Sequence, residues 1–272
     1  MNNIITILGS GTSTGIPMLG CKCEICQSDD PMNKRLRTSI YIETAKGLSF
    51  IVDTGPDLRT QLLNNKIEKV DFAFITHDHA DHVHGIDDLR PFCFGPPARE
   101  IPIYTHSACK IDLEKRFPYI FQRDKVFTSK NPILGGGIPS LNLEEIDENK
   151  PLTIGEDKFD FLLLNHGNSK TLGIIHSGFA YIIDCHELTQ EQVQYLNSLS
   201  LELLIIDCVT SLEHKTHLSK TKAFEYIEQI SPKRAGLIHM GHFLEHNKLA
   251  QEAKNIKNID VFVTYDSMQI KY

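Results

Sequence analysis

The heptapeptide Thr76-His77-Asp78-His79-Ala80-Asp81-His82 decides how the rest of this sequence is interpreted. It follows an apolar run, VDFAFI at residues 70–75, which predicts a buried strand. The motif therefore starts where a strand ends, and a loop at that position can present polar side chains to a ligand. A solvated polar loop that is rich in histidine is the alternative, but the regular spacing favours a metal site.

The spacing within this motif predicts a site for two metal ions. His77 and His79 lie two residues apart and can bind one ion, whereas Asp81 and His82 can bind a second. Neutral imidazole and carboxylate ligands suit Zn, Mn or Fe. Two ions held close together polarise a shared water molecule, as in many metal-dependent hydrolases.

Composition and charge are those of an ordinary soluble globular chain, with 41% of the 272 residues hydrophobic and 23% charged. This length can bury a full core, as one large domain or two small ones. The net charge of −7 argues against a long nucleic acid as the main partner. No apolar run is long enough to cross a bilayer and no signal-peptide pattern opens the chain, so we expect a cytoplasmic protein without a membrane partner.

The chain has seven cysteines, and three of them, Cys21, Cys23 and Cys26, fall within six positions. An odd number with this crowding fits a reducing cytoplasm and a metal site better than a disulfide framework. The polar residues around them make the segment unsuitable for a core, so three structural thiols are the weaker alternative. A C-x-C-x-x-C array suits tetrahedral zinc, and a closed site needs a fourth ligand.

A loop dense in glycine and hydroxyl side chains, GSGTSTG at residues 9–15, follows the first predicted strand at residues 4–8. Glycines let backbone N–H groups approach an anion closely. The loop is not a P-loop, because no Gly-Lys-Ser/Thr follows it, and a tight turn is the alternative interpretation. Beside a two-metal site, contact with a phosphate group is the better prediction.

The rest of the chain alternates strands with helices. Hairpins are predicted at residues 38–52 and 171–183, further strands at 101–104, 159–164, 201–206 and 234–238, and two closing strands at 261–263 and 268–270. Helices are predicted at residues 57–64, 107–116 and 219–230, the second with Ser107 as its N-cap. Three of the strands lead into residues that can bind a metal, namely His166, Asp184 and His239.

Residues 117–151 are the least regular part of the sequence. Basic and aromatic residues are interleaved at 116–123 (RFPYIFQR), and a triple glycine follows at 135–137. Such a stretch can bind a base or a nucleotide, although it is more often a packed loop edge or a dimer contact. We expect a lid or a dimer contact here.

The HxHxDH motif after a hydrophobic strand resembles the metallo-β-lactamase superfamily, in its branch of two-metal hydrolases. The resemblance implies an α/β fold, an αββα sandwich in which two central mixed β-sheets are flanked by helices, as a single domain over residues 1–272. It also implies that Asp53 orients a metal-binding histidine, although the sequence alone fits an aspartate that starts a turn equally well. The ligands implied for the first ion are His77, His79 and His166, and those for the second are Asp81, His82 and His239, with Asp184 bridging the two.

The cysteine array narrows the resemblance to the PhnP-type phosphoribosyl cyclic phosphodiesterases. In that family a structural zinc is bound by three cysteines and by a histidine three residues after the last active-site histidine. The residues that match this pattern here are Cys21, Cys23, Cys26 and His242. His217 lies where the family has a pocket histidine thought to assist proton transfer. The resemblance also implies a homodimer, and it is weakest in residues 117–151, which look longer than in the best-known members.

The resemblance therefore implies a metal-dependent phosphodiesterase that acts on a small cyclic phosphodiester, either phosphoribosyl 1,2-cyclic phosphate or a nucleotide-like diester. A hydroxide bridging two Mn or Zn ions would be the nucleophile. The implied catalytic residues are Asp81 and His217, the latter as general acid.

Three other functions are compatible with part of this sequence pattern. A nuclease like the tRNA 3′-end endonuclease shares the metal site but lacks the cysteine array. A thioester or lactone hydrolase could use the same metals. A non-catalytic binding protein, like the coenzyme-biosynthesis relatives that keep the zinc cysteines, would lack the catalytic ligands, all of which are present here.

Overall fold

The computed structural model describes residues 2–132 and 137–272, so Gly135 and Gly136 of the triple glycine lie outside the described residues. The strands within these ranges are β1 (Ile4–Gly9), β2 (Ser39–Glu43), β3 (Ser49–Val52), β4 (Phe72–Phe74), β5 (Ile101–His106), β6 (Leu141–Ile146), β7 (Leu152–Ile154), β8 (Asp157–His166), β9 (Ser169–His176), β10 (Phe179–Ile182), β11 (Leu203–Asp207), β12 (Arg234–Ile238), β13 (Asp260–Val263) and β14 (Gln269–Lys271). The α-helices are α1 (Glu24–Gln27), α2 (Leu58–Asn64), α3 (Ala80–Val83), α4 (Ser107–Arg116), α5 (Pro118–Phe121), α6 (Arg123–Val126), α7 (Gln190–Ser198), α8 (Lys220–Ile230) and α9 (His246–Ala253). Short 3₁₀-helices cover Pro31–Asn33 and Ile86–Cys93.

The strands form two sheets of seven strands each. The first sheet has the order β14-β1-β2-β3-β4-β5-β6, and the second has the order β13-β12-β11-β10-β9-β8-β7. Both sheets are mixed, because β3 to β6 and β10 to β13 pair in parallel whereas hairpin neighbours such as β8 and β9 pair antiparallel. The expected sandwich of two mixed sheets flanked by helices is thus confirmed.

A cluster of phenylalanine side chains fills the space between the two sheets. Phe159 of the second sheet lies against Phe50, Phe72 and Phe74 of the first, with ring centroids 5.4, 6.0 and 5.2 Å away. All four side chains are buried. Edge-to-face pairs at such distances contribute about 0.5–1.5 kcal/mol beyond the apolar area that they bury. The cluster therefore fixes the position of one sheet relative to the other.

Helices cover the outer face of each sheet. On the first sheet, α2 and the second 3₁₀-helix bury Leu58 and Leu89 against the strands. On the second sheet, α7, α8 and α9 bury Leu196, Ile227 and Leu249 in the same way. The longest described helix, α8, has 11 residues, and none of the described helices is both long and apolar enough to cross a membrane.

The segment predicted to be irregular contains more regular structure than its sequence indicates. Its described residues include α5, α6 and the edge strand β6, which pairs in parallel with β5. Phe117 and Ile120 are buried against the first sheet. Arg116, which ends α4 just before this segment, forms an ion pair of 2.9 Å with Asp78 inside the metal motif. The lid or dimer contact stays a prediction.

One local prediction was wrong. Ser107 is the first residue of α4, and the N-cap is His106, because the chain passes from β5 into the helix without an intervening loop. The two predicted closing strands are both present and belong to different sheets: β13 pairs with β12 in the second sheet, whereas β14 pairs with β1 in the first. The C-terminal segment therefore crosses from one sheet to the other, and Asp266 within it accepts hydrogen bonds from the backbone of Ser10 and Leu36.

Candidate metal centre and active site

Four strands bring the metal-ligand candidates to one region of the sandwich. The chain passes from β4 into the His77 motif, β8 ends at His166, and β10 and β12 are followed by Asp184 and His239. Asp184 and His239, together with Asp53 after β3, have positive φ angles of 50°, 62° and 67°. Residues other than glycine rarely adopt this conformation, which costs on the order of 1–2 kcal/mol and is concentrated at functional sites. Six other described residues that are not glycine also have positive φ angles, so this conformation accompanies these strand ends without being confined to them.

The first predicted ligand set comes together in the structure. His77, His79 and His166 each present a ring nitrogen, and the three atoms lie within 4.8 Å of one another. The Nδ1 atom of His79 is 3.2 Å from Nε2 of His166. Two nitrogen ligands of a tetrahedral ion, each about 2.0–2.1 Å from it, are about 3.3 Å apart. These three side chains can therefore share one ion, which would lie between ligands from both sheets.

The second predicted set, Asp81, His82 and His239, also converges within 4.8 Å. The Nε2 atom of His82 is 3.1 Å from a carboxylate oxygen of Asp81 and 3.3 Å from one of Asp184. The other oxygen of Asp184 is 3.3 Å from His239 and 3.9 Å from His166. Asp184 thus lies between the two sets, where a bridging ligand belongs.

Three buried atoms of this cluster that could bind a metal ion have no hydrogen-bond partner among the described residues. They are His77 Nε2, His82 Nε2 and Asp184 Oδ2. The short contacts of His82 Nε2 lack hydrogen-bond geometry, so the atoms converge on common points instead of pointing at one another. Each unpaired buried polar atom costs about 1–3 kcal/mol. Ligation of divalent cations would satisfy these atoms, so the residues present fit the metal ions that the fold implies.

A hydrogen bond on the far side of the ring fixes the orientation of three of these imidazoles. The Nδ1 atom of His82 is 2.7 Å from Asp53, and that of His239 is 2.8 Å from the Thr38 hydroxyl. The Nδ1 atom of His166 is 2.9 Å from a backbone carbonyl. Such partners set the tautomer and the ring orientation of a metal-binding histidine. Asp53 makes the contact that its predicted role requires.

Carboxylates create a strongly negative potential around His82. Burial opposes a positive charge on this imidazole, but Asp81 and Asp184 outweigh burial and raise the pKa of His82 well above its usual range. Burial and the neighbouring imidazoles lower the pKa values of His77 and His239 well below their usual range. A negative potential beside neutral imidazoles is the environment that a divalent cation needs.

The cluster opens into a cavity of about 480 Å³, which is large enough for a small ligand. His217 lines this cavity, and its Nδ1 atom is 3.4 Å from Asp184 and 3.4 Å from Asp207. Burial opposes a charge on the His217 ring, but the nearby carboxylates of Asp207 and Asp184 raise the pKa of His217 to about 9. A protonated imidazole in a cavity wall can donate a proton to a bound ligand.

Asp207 is the residue of this site that the sequence analysis missed. It is the last residue of β11 and is fully buried. The signal was a carboxylate at the end of an apolar strand, the same pattern that identified Asp184. Its contact with His217 could not be inferred, because it depends on how the intervening loop returns to the strand end.

The glycine-rich loop, predicted to contact phosphate, reaches both the cavity and the metal-ligand candidates. Ser13 lines the cavity. The hydroxyl of Thr12 is 3.5 Å from Nε2 of His239, and its backbone N–H donates to the carbonyl of Met240. The loop is therefore placed where contact with a bound anion is feasible.

The three cysteines of the N-terminal array form a separate group with His242. Their Sγ atoms, on Cys21, Cys23 and Cys26, are 3.3, 3.6 and 3.7 Å from Nδ1 of His242. A tetrahedral zinc with Zn–S of about 2.3 Å and Zn–N of about 2.0–2.1 Å separates sulfur and nitrogen by about 3.6 Å. One ring nitrogen cannot form three strong hydrogen bonds, so a shared ion accounts for the convergence. The group fits a closed zinc site that joins the α1 segment to the loop after β12.

A known family model accounts for most of the chain. The model, described as "Beta-lactamase superfamily domain", matches residues 49–240, a range that includes every active-site ligand candidate from His77 to His239. The chain belongs to the β-lactamase superfamily. The fold of this superfamily implies divalent metal ions, and the ligand clusters of this chain fit them.

Solved structures of other superfamily members extend the similarity to the whole chain. A diphosphatase from the PhnP family is 27% identical and has a TM-score of 0.87, covering 100% of this chain and 98% of that one. This match confirms the narrower resemblance to PhnP-type proteins. The Zn(2+)-bound PqqB of Methylobacterium extorquens has a TM-score of 0.77 at 15% identity, covering 99% of this chain and 100% of that one, and at this identity it shows the fold alone.

Two curated proteins are similar to this chain over very different shares of their own length. The octanoyltransferase of Porphyromonas gingivalis is 34% identical over 97% of this chain but over only 50% of its own length. This chain thus spans about half of that relative. The probable metallo-hydrolase YhfI of Bacillus subtilis is 24% identical over 82% of this chain and 88% of its own length. The name of YhfI, a probable metallo-hydrolase, agrees with the metal-ligand clusters of this chain.

Proposed function

We propose that this superfamily hydrolase cleaves small phosphodiesters, and that cyclic phosphodiesters on a ribosyl or nucleotide-like group are its substrates. The observation that carries the proposal is the position of Asp184, between two metal-ligand sets and beside an open cavity. The PhnP-family diphosphatase, similar over the whole chain, supports phosphate chemistry. The Cys–His group supports the same subfamily, because its spacing fits the structural zinc expected there.

We assign two divalent ions, Mn or Zn, to the active site and one zinc to the cysteine group. When bound, two such ions would supply Lewis acidity to a phosphoryl group and would lower the pKa of a bound water. The residues that would hold the active-site ions are His77, His79 and His166 for the first, and Asp81, His82 and His239 for the second, with Asp184 shared by the two sets. The structural zinc would be held by Cys21, Cys23, Cys26 and His242.

His217 is the proposed general acid. Its ring lines the cavity beside Asp184, so it can reach an oxygen that leaves a phosphorus bound there. Asp207, buried behind the ring, orients it and favours the protonated form. Protonation of the leaving alkoxide prevents a strongly basic product from accumulating and typically contributes 10²–10⁴-fold to such reactions, an order-of-magnitude expectation. Asp81, the second proposed catalytic residue, also lines the cavity.

The substrate is expected to be small. A cavity of about 480 Å³ holds a sugar phosphate or a nucleotide. The net charge of −7 disfavours a long polyanion, since affinity for nucleic acid depends on basic side chains that neutralise phosphates. A small phosphorylated compound is therefore a better candidate than tRNA.

The proposal is tested with the Mn-loaded protein and a panel of substrates. Bis(p-nitrophenyl) phosphate and a cyclic ribose phosphate should both be hydrolysed, and p-nitrophenyl phosphate, a monoester, should react much more slowly. Asp184→Asn, loaded in the same way, serves as the blank. If the folded, metal-replete protein left both diesters intact, the phosphodiesterase assignment would be wrong.

Acyl-thioester hydrolysis is the second candidate, and one observation favours it. The relative that is 34% identical over nearly the whole chain is an octanoyltransferase. Because the alignment covers only half of that protein, its acyl transfer can reside in the other half. The same panel therefore includes an S-octanoyl thioester. Hydrolysis of the thioester without hydrolysis of either diester would replace the first candidate with the second.

A further inference from the structure

We propose that Arg37 is a positioning residue that holds the glycine-rich loop at the cavity, so that the backbone amides of Ser13 and Thr14 bind a phosphoryl group. This inference rests on the proposed phosphodiesterase function and adds the place where part of the substrate's negative charge is bound. No residue in this arrangement is among the proposed metal ligands.

The guanidinium of Arg37 is fixed from two sides. Its Nη1 atom donates to both carboxylate oxygens of Asp57, at 3.0 and 3.1 Å, and the same carboxylate accepts the backbone N–H of Arg37 at 2.9 Å. Its Nε atom donates to the carbonyl of Ser13 at 2.9 Å. A planar guanidinium can make both contacts at once, whereas a lysine ammonium cannot reproduce this geometry.

The loop has other anchors before and after Ser13. The N–H of Gly11 donates to the carbonyl of Leu36 at 2.8 Å, and the N–H of Thr12 donates to Met240 at 3.1 Å. After the turn, the N–H of Ile16 donates to a backbone carbonyl at 2.8 Å. Between these anchors, in the part of the chain that the structure describes, the carbonyl of Ser13 is held by Arg37 alone.

The loop segment that Arg37 holds has backbone N–H groups that donate no hydrogen bond within the described protein. In the described ranges the backbone N–H groups of Ser13 and Thr14 have no acceptor, while those of Gly11, Thr12 and Gly15 are all paired. Both side chains are exposed, and Ser13 lines the cavity beside His79 and Asp81. Successive free amides with a fixed guanidinium nearby form an anion-binding concavity.

A second contact joins the Arg37 region to a proposed metal ligand. Gly55 packs so closely on the backbone carbonyl of Asp81 that a side chain there would collide with it. A Cβ atom at Gly55 would lie 3.9 Å from Cβ of Arg37. Gly55 therefore lies between Arg37 and the ligand loop, and a group bound at Ser13 would share the cavity with Asp81 and Asp184.

The bound group is a phosphoryl oxyanion from one of two sources. It belongs either to the reacting phosphodiester or to a second phosphate on the same substrate. Two substrates distinguish them, because bis(p-nitrophenyl) phosphate carries one phosphate and phosphoribosyl 1,2-cyclic phosphate carries two. A KM that rises for both compounds in an Arg37 variant identifies the reacting group, and a KM that rises only for the second compound identifies the distal phosphate.

The direct test measures binding of inorganic phosphate to the Mn-loaded protein by calorimetry, together with hydrogen exchange of residues 12–15. Arg37→Gln is expected to weaken phosphate binding by about tenfold or more, because charge-assisted hydrogen bonds lose their alignment. It should also accelerate exchange in this segment while leaving the metal content unchanged. Arg37→Lys should fall between Arg37→Gln and the wild type in phosphate affinity.

Arg99 supplies the matched control. It is also an arginine that contacts an aspartate, Asp71, at 3.5 Å and donates to backbone carbonyls, but those carbonyls belong to Phe92 and Val70 and not to the glycine-rich loop. Arg99→Gln should leave phosphate affinity and exchange at residues 12–15 unchanged. An equal loss in both variants would show a general effect on stability and would overturn the proposal.

The results for Arg37→Gln itself also test the proposed anion site and the positioning role separately. Wild-type phosphate affinity in Arg37→Gln would overturn the anion site, and unchanged exchange would overturn the positioning role. If Arg37→Gln fails to fold, Asp57→Asn tests the same arrangement, since it removes the charge that fixes the guanidinium. Arg37-dependent phosphate binding in a protein that cleaves no phosphodiester would keep this inference and reject the proposed function.

Discussion

Asp184 shows how much of the site depends on a single residue. Both ligand sets meet at its carboxylate, and its backbone adopts a positive φ angle that few residues other than glycine tolerate. Burial raises the pKa of Asp184, so keeping this side chain ionised requires nearby positive charge. Bound divalent cations would supply that charge.

We expect Asp184→Asn to lower kcat by more than about 100-fold, since changes even in groups that only orient metal ligands cost about 10–100-fold. The variant should also lose bound metal, because an amide oxygen carries no charge to balance the ions. Steady-state kinetics and elemental analysis measure the two effects. Asp160→Asn, on the same sheet outside the cavity lining, is the control, and full activity in Asp184→Asn would contradict the site assignment.

Local spacing alone revealed the ligands that lie close together in the chain, whereas the distant ligands His166, Asp184 and His239 were assigned from strand ends and from the family resemblance. His77, His79, Asp81 and His82 form one short pattern, so their shared chemistry is visible without a structure. The hydroxyl of Thr38 lies behind His239 at 2.8 Å although the two residues are 201 positions apart. Such contacts depend on the completed fold, and no local pattern predicts them.

Among the elements, strands were easier to predict than short helices. Most strands are apolar runs buried on both faces, and such runs are distinctive. The edge strand β6 was missed because it alternates buried with exposed residues and lies in a polar segment. Helix α7 was missed as well, although Thr189 and Gln192 form a capping box at its start. That four-residue signature could have identified it.

The cysteine group is expected to stabilise the N-terminal segment around α1. Cys23 is both a proposed zinc ligand and the N-cap of α1, where its sulfur accepts the N–H of Cys26. We expect Cys23→Ser to lose about one zinc per chain and to lower the free energy of unfolding by more than about 2 kcal/mol, because structural metal binding contributes to folding. Metal analysis and urea unfolding measure these losses. Cys109→Ser, outside the cluster, should keep its zinc, and a zinc-replete Cys23→Ser of normal stability would remove the structural role.

Helix α9 begins with a carboxylate cap whose contribution should depend on pH. Glu245 accepts the N–H groups of Asn247 and Lys248 at 3.1 and 2.8 Å. Burial alone would raise its pKa, but these hydrogen bonds lower the pKa of Glu245 below its usual value of 4.5. The folded state therefore favours the ionised form. Its stabilisation is complete above about pH 4.5 and is lost as the pH falls through the folded-state pKa.

We expect Glu245→Gln to lower the free energy of unfolding by about 1 kcal/mol at pH 7, because the charged cap and its interaction with the helix dipole are lost. Urea unfolding of both proteins should show this difference at pH 7. The difference should shrink at the lowest pH at which both remain folded. A difference that is the same at both pH values would mean that the charge of Glu245 contributes nothing.

In the whole molecule, the proposed metal centre connects the two sheets. His77 and His82 come from the first sheet, whereas His166, Asp184 and His239 come from the second. The architecture was predicted from a resemblance carried by a few motifs, and composition alone allowed one domain or two. The crossing of the C-terminal segment between the sheets was not predicted, because strand pairing depends on contacts far apart in the chain.

Packing between the sheets should therefore affect metal binding. Phe159 contacts phenylalanines of the opposite sheet, and Phe159→Ala should lower the free energy of unfolding by about 3–5 kcal/mol. Because the ligand sets span both sheets, the variant should also release metal to a chelator more readily. Phe94→Ala, at a side chain that is 59% exposed, is the control. Wild-type metal retention in a destabilised Phe159→Ala would show that the site does not depend on the inter-sheet core.

The most direct test of the account is ³¹P NMR of phosphoribosyl 1,2-cyclic phosphate incubated with the Mn-loaded protein. The predicted result is opening of the ring to a single phosphomonoester, with no reaction in His166→Ala treated in the same way. The contradicting result is a folded, metal-replete protein that leaves both this compound and a simple aryl phosphodiester intact.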